Sequence, residues 1–159
     1  MDDPAEEGRG EVSGRRGHLA IESGVTIVLG NLVVGGILRE ADEYGHLWVT
    51  GAITAKAMHC TFTCWAGGAI AADVVLLGTM GSLGAVCGIV TPLTVRTAYG
   101  EDDFYGDNLQ ATHRIDTGKD ATGLGVLLPA FVRERAGRPP SLVAAALLAA
   151  AKAGKPVLR

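Results

Sequence analysis

Four glycines, Gly30, Gly51, Gly68 and Gly88, recur in one aliphatic setting, and that recurrence restricts what the chain can become more than any other feature. Their spacings are 21, 17 and 20 residues. Two residues before each glycine stand Val28, Val49, Ala66 and Val86, and two after stand Leu32, Ile53, Ile70 and Val90. Four after come Val34, Ala55, Ala72 and Pro92, and seven after come Ile37, Met58, Val75 and Val95. Within each unit the apolar residues alternate, as in LWVTGAITA, and a period of two is the mark of a strand. A short strand cannot bury its apolar stripe alone, so the units must stack, each covering the one before. One turn of coil per unit places equivalent residues about 4.8 Å apart, the ordinary distance between strands. The columns then become ladders inside the coil, and the glycines mark its corners, where close backbone approach or positive φ is needed.

The fold class expected is all-β: a short right-handed parallel β-helix (solenoid) of about four to five rungs, with a C-terminal α-helix. The right hand follows from the handedness of parallel crossovers. An antiparallel sandwich is the competing arrangement, since short strands with turn signals suit it as well. Pro92 cannot donate to a ladder and fits a corner or the last exposed rung.

At 159 residues one domain is expected. Residues 1–17 read as a disordered polar arm, from their Gly, Glu and Arg content. Residues 18–116 hold the solenoid, with HLAIES as a partial first rung and LQATHRI as a fifth. Residues 117–159 form an extension that begins with the loop DTGKDATG and the apolar run LGVLLPAFV. There Pro139-Pro140 stops what precedes, Ser141 is an N-cap candidate and Gly154 the expected C′ residue, so a helix is read over 141–153. It would cap the open end of the coil or dock on another chain, and the tail KPVLR would leave it extended.

Composition narrows the function classes. A net charge of −3 gives no electrostatic ground for nucleic-acid binding, which needs clustered Lys and Arg. The N-terminus lacks the basic and apolar regions of a secretory signal, so a cytoplasmic location is expected. The longest apolar stretches are interrupted by Gly30, Gly35, Gly36, Gly67, Gly68 and Asp73, and no membrane span is expected. Cys60, Cys64 and Cys87 are odd in number and lie in apolar surroundings, against a disulfide framework.

Two insertions, Arg39 to Gly45 and Tyr99 to Asn108, follow the same column, so stacking places them at one corner of the coil about three rungs, ~14 Å, apart. Asp42, Glu43, Tyr44, Glu101, Asp102, Asp103, Phe104, Tyr105 and Asp107 would form an acidic patch set with aromatics, a composition suited to a protein partner. The bland reading is that these are solvated turns. Calcium finds hard oxygen ligands there, but neither EF-hand spacing nor the GGxGxD nonapeptide is present. His59, Cys60 and Cys64 are too few and too poorly spaced for a zinc site. His18, His46 and His113 fall in different columns. No GxSxG, Walker A or GxGxxG-plus-acid arrangement occurs, so no metal, no cofactor and no catalytic residue is expected.

The units GNLVVGGIL, HLWVTGAITAKAM and GGAIAADVV resemble the bactofilin-like group of polymer-forming bacterial proteins, over about half of the chain. The resemblance implies a nucleotide-free parallel β-helix that assembles end to end. The irregular rungs, the acidic insertions and the C-terminal extension depart from that pattern. The function expected is a non-catalytic scaffold acting in self-assembly or protein–protein interaction, with self or another protein as partner. The alternative is an immunity-type binding protein that neutralises a toxin through its acidic loops.

Overall fold

A computed structural model describes residues 17–41, 45–78, 81–97 and 108–159. The chain coils into a parallel β-solenoid of about four turns. After the short β1 (Leu19–Ile21), each turn contributes one strand to each of two sheets. The pairs are β2 (Gly24–Val28) with β3 (Leu32–Glu40), β4 (Gly45–Val49) with β5 (Ile53–Cys60), β6 (Thr63–Ala66) with β7 (Ile70–Leu77), and β8 (Ser82–Ala85) with β9 (Ile89–Arg96). β10 (Leu109–Asp116) adds a last rung to one sheet only among the described residues. The sheet orders are β1-β3-β5-β7-β9-β10 and β2-β4-β6-β8, every neighbour parallel. The antiparallel sandwich is thereby excluded.

Inside the coil, Leu32, Ile53, Ile70, Ile89 and Leu109 form one continuous ladder, and Val28, Val49, Ala66 and Ala85 another. The glycine register therefore holds for three rungs and slips by one residue in the fourth. Ala85 and Ile89 occupy the inner places expected of Val86 and Val90, which are 60% and 48% exposed. The hydrogen bonds at the corner give the reason. Gly51 donates to the Gly30 carbonyl, Gly68 to that of Gly51, and Cys87, not Gly88, to that of Gly68. Cys87 is thus the fourth member of the glycine column, and Gly88 follows it with φ +97°.

The same slip places Thr91 inside and Pro92 on the outer face, at a position that is in register with neither β7 nor β10, so the ladder is interrupted where the donor is missing. Thr91 is 2% exposed, and its hydroxyl is satisfied within its own strand by the carbonyl and amide of Leu93. Thr94 likewise takes the inner place expected of Val95, and in the first rung Leu38 takes that of Ile37, because a register shift follows Val34.

The long strands change phase in their middle. In β5, Ile53, Ala55, Met58 and Cys60 belong to the inner core, whereas Ala57 belongs to a second one. Each long strand so presents two successive outer faces. The second, formed by Ile37, Ala57, Val74, Leu93, Leu76, Val95 and Ile115, is covered by the C-terminal extension.

That extension differs from expectation in two respects. Pro139, Pro140 and Ser141 lie in a strand, β12 (Arg138–Leu142), paired antiparallel with β11 (Val132–Arg135) through a turn at Gly137, φ +71°. Ser141 therefore caps nothing, and the helix α1 runs over Ala144–Lys152, after Val143. Extended prolines followed by a small polar residue suit an edge strand as well as a helix start. Second, α1 covers neither end of the coil. It lies along the flank against β3, β5 and β7, with Leu147, Leu148, Ala150 and Ala151 buried. Gly154 closes it at φ +65°, and the extended tail bridges Leu158 to Leu127. Among the described residues no helix is long and apolar enough to cross a membrane.

Candidate interaction face

The acidic patch proposed from sequence, Asp42, Glu43, Tyr44, Glu101, Asp102, Asp103, Phe104, Tyr105 and Asp107, lies outside the described residues, as does residues 1–16 of the N-terminal arm. The base of the first insertion is described. Glu40 accepts hydrogen bonds from the Gly45 amide and the Thr61 hydroxyl, each at 2.7 Å, which ties the first rung to the second.

His59 sits half-buried at the covered flank, with its pKa lowered by burial and by Arg39, against an opposing effect of Glu40. Cys60 and Cys64 point into the coil, where burial pushes the Cys60 thiol up to about 12 and raises that of Cys64 as well. Thiols so held are protonated and poor nucleophiles. Cys87, expected in apolar surroundings, is exposed at its corner. Among the described residues no group of three His, Cys, Asp or Glu is placed to hold a metal ion.

What the outside of the coil offers is best seen side by side. One outer face, the second half of the long strands, is covered by the extension. The first half of the long strands carries the exposed ion pair Lys56–Asp73 at 3.5 Å beside Val33 and Val90, an ordinary solvated surface. Among the described residues, the outer face of the four-stranded sheet carries no Asp, Glu, Lys or Arg, and several of its apolar side chains are exposed.

Parallel register builds that face in columns. Ile27, Trp48, Trp65 and Gly84 are successive partners in the central one, with exposures of 62%, 52% and 42% for the three side chains. Val25, His46, Thr63 and Ser82 flank it on one side. Leu29, Thr50, Gly67 and Val86 follow the innermost column on the other. No Asp, Glu, Lys or Arg stands at these twelve positions. The relief is uneven. Ile27 and Leu29 stand out at the first rung, whereas a groove of about 590 Å³ runs between Trp48, Thr63, Trp65, Ser82, Val86 and Asn108, with Gly84 buried at its floor.

No family model, no curated protein and no solved structure matches the chain. Its surface must therefore speak for itself. Contiguous exposed apolar side chains on a folded domain mark contact sites, and Trp is favoured at the centre of such contacts. Sequence reasoning passed over this face because it followed the inward columns. The signal was present: Ile27, Trp48 and Trp65 each stand three residues before a register glycine, at the parity that faces outward.

The ends of the coil also differ from each other. The inner column Cys60–Leu77 continues into Arg96 and Asp116, and Leu38–Met58–Val75 continues into Thr94 and Arg114. Arg114 reaches back and donates to the Leu109 carbonyl. Arg114 is exposed and Asp116 partly exposed there, and charged residues at inner register positions of a last described rung work against burial of that edge by another strand.

Proposed function

We propose that this chain is a non-catalytic β-solenoid scaffold that acts through self-assembly or protein–protein contact, with the outer face of the four-stranded sheet as its contact surface. The observation that carries this reading is the in-register column Ile27, Trp48 and Trp65, about half exposed on a face whose described positions include no Asp, Glu, Lys or Arg. Two indoles held open to water represent apolar area whose burial against a protein surface is favourable. The rigid parallel ladder holds them in place before contact, so little ordering opposes association. The scaffold so contributes position rather than chemistry.

Sedimentation of the purified protein over a range of concentrations tests the reading. The wild type is expected to associate. The double variant Trp48→Ser/Trp65→Ser is expected to weaken association by about tenfold or more, since central Trp contacts carry a large share of interface energy. A wild type that remains monomeric at high micromolar concentration, and that recovers no protein partner sensitive to the double substitution, would remove the reading.

A further inference from the structure

We propose that the β11–β12 hairpin is a second contact surface, which takes a short acidic segment of a protein partner through the guanidinium groups of Arg135 and Arg138. The inference does not rest on the tryptophan face. At its base the hairpin is anchored, since Val132 and Leu142 pack on the flank core. Beyond them it is open to solvent: Arg133, Glu134, Arg135, Gly137 and Arg138 are all exposed.

Register sets two of the arginines against each other. Arg135 and Arg138 are direct cross-strand partners on either side of the turn Ala136-Gly137, which brings their Cβ atoms to roughly 4.5–5.5 Å. Like charges directly opposite destabilise a strand pair. Glu134 stands beside Arg135 in sequence, yet among the described residues no ion pair joins it to an arginine, and neither Arg135 nor Arg138 makes a side-chain hydrogen bond. The whole chain is acidic, at net −3, whereas residues 132–142 hold three arginines and one glutamate. Charge on an exposed edge discourages stray strand pairing. An Arg opposite a Glu would serve that end equally and would stabilise the hairpin as well, so edge protection does not account for two arginines face to face.

Residue type indicates the ligand. A guanidinium is a planar fork that offers two parallel N–H donors to a carboxylate. Two forks so close together suit two carboxylates carried by one segment. A nucleic-acid backbone needs a longer run of basic contacts, and an anionic membrane calls for about four to eight clustered basic residues. Three arginines on an acidic chain supply neither. An acidic loop or tail of a protein asks for no more than the hairpin presents.

Fluorescence anisotropy of a labelled hexaglutamate peptide, titrated with the full chain at low ionic strength, tests the proposal. Saturable binding is expected, and salt should weaken it. Arg138→Glu should raise the dissociation constant at least about tenfold. Because it also sets Glu opposite Arg135, the same substitution should raise the thermal midpoint. Arg135→Gln/Arg138→Gln relieves the like-charge pair without a new charge and should lose binding to a similar extent with no fall in midpoint. Arg135→Lys/Arg138→Lys keeps the charge, removes the forks and should still weaken binding severalfold.

Absence of binding at low ionic strength, or binding indifferent to both the Glu and the Gln variants, would overturn the proposal. So would a midpoint lowered by both, since the arginines would then serve the fold. An oligothymidylate of equal charge that displaced the peptide as well as unlabelled hexaglutamate does would make the hairpin a general polyanion site and overturn its assignment to a protein segment. Trp48→Ser/Trp65→Ser should bind the peptide as the wild type does, whatever becomes of the sheet face. Loss of binding in that variant would place the acidic segment on the tryptophans and overturn the hairpin as its site.

Discussion

At the scale of single residues, the corners of the coil are the least forgiving places. A Cβ added at Gly51 would lie 2.6 Å from the Gly30 carbonyl oxygen and 2.7 Å from its carbon, which are backbone atoms of the rung below and cannot step aside. Gly51 also donates to that carbonyl at 2.8 Å, so moving the corner outward breaks a rung-to-rung bond. Gly51→Ala should therefore lower unfolding free energy by about 1–3 kcal/mol, measured by denaturant titration. An unchanged midpoint would mean that the corner has room the geometry does not show. That Gly51 mattered was legible from the recurrence of glycine in the sequence. That Cys87 rather than Gly88 continues its column was not, because a spacing of 20 and one of 19 residues both look regular when rungs already vary from 17 to 21. A register read from glycine alone is only as good as the assumption that every corner uses one.

At the scale of elements, inner ladders and outer cover obey different logic. Alternation in LWVTGAITA and its relatives locates the strands, since one parity must be buried in a stacked coil. It does not reveal that each long strand shifts phase halfway, because in β5 the shift at Ala57-Met58 sets two apolar residues side by side and either could be the inner one. The shift is what creates the flank that the C-terminal extension covers. A helix rich in Ala and Leu was expected either to close an end or to seek another chain. It packs instead along the flank of its own coil, where its small side chains share a core with Ala57 and Val74. Leu147 is fully buried there, and Leu147→Ala should cost about 2–5 kcal/mol, the range for a large-to-small change in a packed core. The same substitution at an ornamental helix would cost a few tenths. Thermal unfolding of the variant separates these outcomes.

At the scale of the whole molecule, the described residues show three outer faces treated in three ways: one covered by the C-terminal extension, one bearing the Lys56–Asp73 pair, one apolar with exposed indoles. The C-terminal extension covers one apolar flank while Trp48 and Trp65 stand about half exposed on another face, and this contrast supports the proposed contact surface. Both of the chain's tryptophans lie on this face, so their fluorescence reports on it without a label. The decisive measurement is tryptophan emission and acrylamide quenching followed on dilution, in parallel with sedimentation. The account predicts that, as the protein dissociates, emission moves to the red and quenching rises at the same concentration at which the sedimentation coefficient falls. Indoles that remain equally open to quencher at every concentration, whatever the sedimentation coefficient does, would contradict it.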